Sequence, residues 1–156
     1  MSNLGLVRLT TAIYGIVHFE QCILVLGVSH FTYTRAGPES YATCFLSRSQ
    51  RSLCAQLRCG ILPLAIEVGR FTAVLEEKRL CSLCDLQDIE NEYHFMFYCP
   101  LYDDLRVPLF EAMQRQPDLF WLDDGEKLEW LFRLEVFKTA TFISNAWKRR
   151  QSVLFN

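Results

Sequence analysis

Apolar positions recur at helical spacing along most of the chain after residue 38. In the first stretch, residues 39–58, they are Ala42, Leu46, Leu53 and Leu57. Intervals of four, seven and four residues, near multiples of 3.6, predict a helix with one buried face. Gly60 is expected to end that helix, because glycine readily adopts the left-handed backbone found after helix ends.

Further helices are predicted downstream. Asp88 or Glu90 is expected to cap a short helix that carries His94. Pro100 suits the first turn of a longer helix over residues 101–116, because its missing N–H is not needed there.

The last third of the chain predicts two more helices. Pro108 is expected to interrupt the helix that Pro100 begins. Asp123-Asp124-Gly125 is expected to provide the N-terminal cap of the next helix, and a final helix follows. Its apolar face is formed by Val136, Ala140, Ile143 and Trp147, at spacings of four, three and four residues. The pattern as a whole predicts a mainly α, small helical domain with little or no β-sheet.

A break at Ala36-Gly37-Pro38 divides the chain into an apolar N-terminal segment, residues 1–38, of unknown role, and a helical domain, residues 39–156. Residues 9–28 are apolar enough to suggest a membrane span. However, Glu20 lies within that stretch, and a carboxylate near a bilayer centre costs about 2.5–3.5 kcal/mol. We therefore expect a packed helix or strand pair, or an extension without defined structure, rather than a membrane helix.

The number of cysteines adds a prediction that the hydrophobic pattern does not make. The chain has 156 residues, of which 51% are hydrophobic and 22% charged, which is typical of a globular domain. Seven cysteines occur without a convincing secretory signal. We expect an intracellular protein, nuclear or cytoplasmic, in which an odd number of cysteines favours metal binding over disulfides. The cysteines outside the motif below, Cys22, Cys44, Cys54 and Cys59, are expected to be buried thiols.

The net charge of −2 hides an uneven distribution. Residues 46–80 carry six basic and three acidic side chains, a net of +3. Residues 81–135 carry four basic and thirteen acidic side chains, a net of −9, and residues 136–156 carry four basic and none acidic. Local basic patches are possible with this balance, whereas strong autonomous binding to nucleic acid is not expected.

The decisive motif is Cys81-Ser-Leu-Cys84 followed by His94 and, four intervening residues later, Cys99. A two-residue spacing turns the backbone so that two thiolates converge on one ion. Four nitrogen and sulfur ligands describe a structural zinc site, whereas catalytic zinc keeps a position open for water. The sequence therefore predicts a domain organised around one zinc knuckle, with no catalytic residues and no small-molecule substrate.

An alternative interpretation treats Cys81 and Cys84 as ordinary buried thiols and His94 as a packed core histidine. The loop over residues 85–92 argues against it, because Leu86 and Ile89 are its only strongly apolar residues. A metal ion would supply the stability that this loop lacks.

Two other groups of residues are candidates for ligand binding, one for magnesium and one for nucleic acid. Asp103 and Asp104 resemble the paired carboxylates that hold magnesium in polymerase palms, but acidic residues are favoured in the first turn of any helix. The candidates for nucleic-acid binding are six basic residues: Arg58, Arg70, Arg79, Lys148, Arg149 and Arg150.

These motifs resemble the zinc-binding region at the C-terminal end of reverse transcriptases from non-LTR retrotransposons. The matching segments are Arg51-Ser-Leu-Cys-Ala-Gln-Leu-Arg58-Cys-Gly60, Ile66-Glu-Val-Gly-Arg70-Phe71, Arg79-Leu-Cys81-Ser-Leu-Cys84, Glu90-Asn-Glu-Tyr-His94-Phe-Met-Phe-Tyr-Cys99-Pro-Leu-Tyr102, Leu105-Arg106 and Phe142-Ile-Ser-Asn-Ala-Trp147-Lys-Arg-Arg150. The resemblance covers roughly Glu39 to Phe155, about three quarters of the chain.

The resemblance implies a module that follows the polymerase and helps to hold element RNA or target DNA during reverse transcription. We therefore expect RNA or single-stranded DNA as its partner. Because 156 residues are too few for a polymerase palm or an endonuclease, we expect a truncated, element-derived protein without polymerase activity. The alternatives are a zinc-stabilised helical scaffold for protein interaction and a non-functional remnant of the element.

Overall fold

The computed structural model describes residues 38–155, and within this range the chain is predominantly helical. The only β-type pairing among these residues is an isolated antiparallel bridge between Leu80 and Ile89. This confirms the mainly α class with little or no β-sheet. The interpretations offered for residues 9–28 lie outside the described residues. No helix within residues 38–155 combines the length and the apolarity that a bilayer crossing needs.

Six α-helices lie within the described residues. In chain order they are α1 (Ser40–Thr43), α2 (Arg48–Arg58), α3 (Ala65–Phe71), α4 (Asp103–Gln114), α5 (Asp124–Leu134) and α6 (Val136–Phe155). Shorter helical turns connect them. Three are 3₁₀ turns, at Glu76–Lys78, Pro100–Tyr102 and Pro117–Trp121, and one is a π-helical turn at His94–Tyr98.

Local capping explains where the helices begin and end. Ser47 and Gln50 form a reciprocal capping box at the start of α2, and Asp123 and Glu126 form another at the start of α5. Gly60 follows α2 with φ of 61°, in the left-handed region. The predicted roles of Asp123 as a cap and Gly60 as a terminator are therefore confirmed.

Two predicted boundaries were wrong. The helix expected over residues 39–58 is two helices, because Cys44 is extended (ψ 160°) and the Ser47 cap starts a new helix. Pro108 does not interrupt its helix but lies inside α4. The ring removes one backbone hydrogen bond at an exposed position, while Leu109 and Ala112 remain buried in the core.

The core of residues 39–155 is built around α6, which contacts α1, α2, α4 and α5. Its predicted apolar face is confirmed at Val136, Ala140 and Ile143, which are buried, whereas Trp147 is half-buried. The fully buried apolar side chains include Leu57, Phe95, Met96, Tyr102, Leu128, Leu131, Phe132 and Ile143. Because Phe95 and Met96 lie between His94 and Cys99, and Tyr102 follows Cys99, the core reaches the C-terminal half of the Cys/His motif.

Candidate metal centre

Four potential ligands meet at one point, as the sequence motif predicts. One ligand atom each from Cys81, Cys84, His94 and Cys99 lies within 4.8 Å of all the others. The Sγ atoms of Cys81 and Cys99 are 3.9 Å apart, and Cys84 Sγ lies 3.4 Å from His94 Nε2. A tetrahedral ion with metal–sulfur bonds of about 2.3 Å spaces its sulfurs by roughly 3.8 Å, so the donor set fits a metal ion.

The first pair of ligands sits on a short antiparallel ladder around the Leu80–Ile89 bridge. The Cys81 N–H donates to Asp88 O at 2.9 Å, and the Glu90 N–H donates to Arg79 O at 3.0 Å. Gln87 turns the chain between these segments with a left-handed φ of 56°. The ladder fixes the backbone on both sides of the Cys81–Cys84 turn.

The second pair is presented by the π-helical turn. The Cys99 N–H donates to His94 O at 2.8 Å, and this bond between residues five apart brings both side chains to one face. The turn is capped by Asn91, whose Oδ1 accepts from the His94 N–H at 2.9 Å. The prediction of Asp88 or Glu90 as this cap was therefore wrong.

Burial sets the protonation preferences of the ligands. It raises the pKa of the Cys81 thiol, against an opposing hydrogen bond from the Leu83 backbone, and it also raises the pKa of Cys99. Burial likewise lowers the pKa of His94, which keeps the imidazole neutral, the form that binds a metal. A cation would replace the thiol protons and stabilise the thiolates in this apolar environment.

The orientation of His94 agrees with metal binding through Nε2. Its other ring nitrogen, Nδ1, is buried without a hydrogen bond and lies 3.9 Å from Asp88 Oδ2. Metal-binding histidines commonly direct the second nitrogen toward a carboxylate, which fixes the tautomer and the ring orientation.

Three residues behind the ligands, Glu90, Arg150 and Arg106, were not predicted to act at the centre. Glu90 is only 2% exposed, and its Oε1 lies 3.8 Å from Cys81 Sγ. Both of its carboxylate oxygens accept hydrogen bonds from the Arg150 guanidinium, and Oε2 also accepts from the Ala65 N–H at 2.8 Å. Arg150 is separated from Glu90 by 60 residues, so no local pattern in the sequence could pair them.

Arg106 supports the opposite side of the centre and is only 1% exposed. Its Nε donates to Met96 O at 2.9 Å and its Nη2 donates to Cys99 O at 2.6 Å. An ion pair with Asp103 and the Phe142 ring, 5.9 Å from the guanidinium carbon, complete its environment. Arg106 thereby holds the end of the π-helical turn in place.

The structure gives five of the six predicted nucleic-acid-binding residues partners within the chain. Arg58 pairs with Glu39, Arg70 with Glu67, Arg79 with the Ile66 and Val74 carbonyls, Arg149 with Asp104 and the Leu101 carbonyl, and Arg150 with Glu90. Arg58 and Arg150 are buried, whereas Lys148 is exposed on α6. Nucleic-acid contact by any of the six stays a prediction.

The remaining candidates take ordinary positions. Cys54 is buried as predicted, but Cys44 and Cys59 are only half-buried, and Cys22 lies outside the described residues. Asp103 and Asp104 occupy the first turn of α4. In the part of the chain that the structure describes, the Cys/His cluster is the only group of side chains arranged for a metal ion.

Comparisons with protein-family models, curated proteins and solved structures find no match to this chain. The metal centre and the fold are therefore described from the geometry of this chain alone.

Proposed function

We propose that Cys81, Cys84, His94 and Cys99 bind one structural zinc ion and that this ion stabilises the helical domain. The observation that carries the proposal is the convergence of all four ligand atoms within 4.8 Å. Three thiolates and one imidazole match the Cys₃His sites of structural zinc, in preference to magnesium or calcium, which bind oxygen ligands.

A structural role follows from the number and burial of the ligands. Four protein ligands complete a tetrahedron, so a bound zinc would have no open position for water or substrate. Cys81, His94 and Cys99 are each at most 6% exposed. We therefore propose that the centre holds the fold and has no catalytic role.

The test is metal analysis of the purified chain beside Cys84→Ser and a control, Cys44→Ser. Wild-type protein and the control should each contain one zinc per chain, because Cys44 lies outside the cluster. Cys84→Ser should lose the zinc or bind it far more weakly. In wild type, cobalt should give the strong visible absorption of tetrahedral thiolate coordination. Equal zinc content in all three proteins would contradict the proposal.

A second proposal concerns the partner. We propose that the module is derived from a non-LTR retrotransposon reverse transcriptase and contacts RNA or single-stranded DNA. The motif pattern supports this origin, and the exposed Lys148 supports the contact. Because Arg58 and Arg150 are committed to buried ion pairs, phosphate contact would depend on exposed cations such as Lys148.

Salt-dependent binding to single-stranded RNA and DNA tests the partner. Lys148→Glu should weaken binding and flatten its dependence on salt. The control Lys138→Glu carries the same charge change, and Lys138 already pairs locally with Glu135. If both variants bind like wild type, or if wild type does not bind, the protein-interaction scaffold becomes the better proposal. Exposed Phe120 and Trp121, at 78% and 84%, favour that alternative.

A further inference from the structure

Glu90 connects the metal centre to the last helix through one carboxylate group. One oxygen faces Cys81 Sγ at 3.8 Å, and both oxygens accept hydrogen bonds from Arg150 on α6. Its backbone is fixed as well, since the Glu90 N–H donates to Arg79 O and Glu90 O accepts from the Ile66 N–H at 3.1 Å. Glu90 cannot move without disturbing the ladder that carries Cys81.

Charge balance makes Arg150 important to this arrangement. A divalent ion with three thiolates and a neutral imidazole carries a net charge of −1, and Glu90 places a second negative charge beside the Cys81 sulfur. Like charges at such a distance repel strongly inside a protein. Two buried cations offset them: Arg150, which binds Glu90 directly, and Arg106, which binds the Cys99 carbonyl.

The position of Arg150 on α6 gives this balance a structural consequence. Arg150 lies in the C-terminal half of the helix, past the apolar contacts of Ala140 and Ile143. Beyond it, residues 151–155 are all exposed, so Arg150 is the last buried anchor of the helix. Its guanidinium also lies 5.9 Å from the Trp147 ring.

We propose that Arg150, acting through Glu90, is a positioning residue for the metal centre, and that metal binding and docking of the C-terminal half of α6 favour each other. The inference rests on the proposed zinc site. Coupling of this kind is reciprocal: loss of Arg150 weakens metal binding, and loss of the metal loosens the end of α6.

The first experiment measures zinc affinity by competition with a chromophoric chelator. Arg150→Gln should bind zinc about 10- to 100-fold more weakly than wild type, the usual effect of removing an outer-shell partner. Arg149→Gln is the matched control, because the neighbouring Arg149 pairs with Asp104 and the Leu101 carbonyl rather than with Glu90. It should stay within about twofold of wild type, because Arg150 acts through Glu90 and the hydrogen bonds of Arg149 go to Asp104 and Leu101 instead. Equal affinities for the two variants would overturn the inference.

A double variant separates charge balance from simple loss of packing. Glu90→Gln removes the carboxylate charge beside Cys81, so Glu90→Gln combined with Arg150→Gln should recover a substantial part of the lost affinity. A double variant that binds no better than Arg150→Gln would overturn the inference. If Arg150→Gln does not fold, Arg150→Lys is compared with Arg149→Lys, and equal zinc affinities of these two would also overturn it.

The reverse direction is tested by hydrogen exchange on wild-type protein with and without a chelator. Metal removal should speed exchange over residues 148–155 more than over residues 137–143 of the same helix. Equal changes in the two halves would overturn the inference. A different result contradicts the proposed function itself: wild-type protein that binds no stoichiometric zinc.

Discussion

Arg106 shows how one buried side chain can support the metal centre without touching the ion. Its guanidinium satisfies the carbonyls of Met96 and Cys99, and both bonds lie in the interior. Arg106→Met keeps much of the apolar volume but removes the guanidinium donors to both carbonyls, of which Cys99 O still accepts from the Tyr102 N–H at 3.1 Å. An unsatisfied buried group costs about 1–3 kcal/mol, so we expect the free energy of unfolding to fall by about that amount.

Chemical denaturation of the zinc-loaded protein measures this loss. The control is Arg115→Met, at an exposed position just after α4, which should change stability by less than about 0.5 kcal/mol. A stability loss no greater for Arg106→Met than for Arg115→Met would show that the two carbonyls do not depend on this guanidinium.

Single residues were predictable from the sequence where their partners are near in the chain. The spacing of Cys81, Cys84, His94 and Cys99 specified the cluster, because two tight turns are enough to bring each pair together. The roles of Glu90 and Arg150 could not be found this way. Their pairing depends on how α6 docks, which no local pattern encodes.

At the scale of elements, α3 contacts the antiparallel ladder that carries Cys81 through a close approach at Gly69. Arg79 lies across this glycine and donates to Val74 O at 2.9 Å and to Ile66 O at 3.1 Å. A Cβ at residue 69 would lie 2.6 Å from Arg79 Cγ, closer than real contacts allow. The close approach of Arg79 therefore explains a glycine in the middle of a helix.

Substitution of this glycine should have an effect that depends on Arg79. Alone, Gly69→Ala should destabilise the protein by about 1–2 kcal/mol, because the displaced Arg79 guanidinium loses its hydrogen bonds to Ile66 O and Val74 O. In an Arg79→Ala background the same change should be neutral or stabilising by up to about 1 kcal/mol, because alanine favours helix over glycine. Thermal or chemical unfolding of the four proteins measures both effects. The same sign in both backgrounds would refute this account of the contact.

Elements were predictable where capping chemistry is local. Asp123 and Gly60 mark real boundaries because a cap side chain or a left-handed turn acts within a few residues. Pro108 misled the prediction, because the packing of Leu109 and Ala112 keeps α4 continuous at the cost of one exposed hydrogen bond. The π-helical turn was also missed, since its i→i+5 bond has no distinctive sequence signal.

Across the described domain, the uneven charge along the sequence becomes pairing between distant elements. The acidic middle of the chain meets the basic C-terminal segment through Glu90–Arg150 and Asp104–Arg149. Some basic residues that the sequence suggests for nucleic-acid binding are therefore paired with acidic residues of the same domain. Composition alone could not distinguish these outcomes, because both need the same basic residues.

Dependence on the metal should divide this domain into two parts of different stability. The helices around α6 share a fully buried apolar core that includes Leu57, Leu128 and Ile143. The loop over residues 82–88 has no fully buried side chain. Zinc contributes an apparent ~10–16 kcal/mol to small finger peptides, so its removal should affect this loop most.

We expect chelation to open the ladder at Cys81 and Glu90 before the helical core unfolds. Their amides, which donate to Asp88 O and Arg79 O, should lose most of their protection from hydrogen exchange, while amides within α5 retain theirs. The midpoint of thermal unfolding should fall by at least about 10 °C, since each kcal/mol lost shifts it by roughly 4 °C in a domain of this size. Uniform loss of protection across both regions would mean that the ion stabilises the domain as one cooperative unit. No change in either region would mean that the ladder is held by its backbone bonds alone, and that the four ligands add nothing to the stability of the fold.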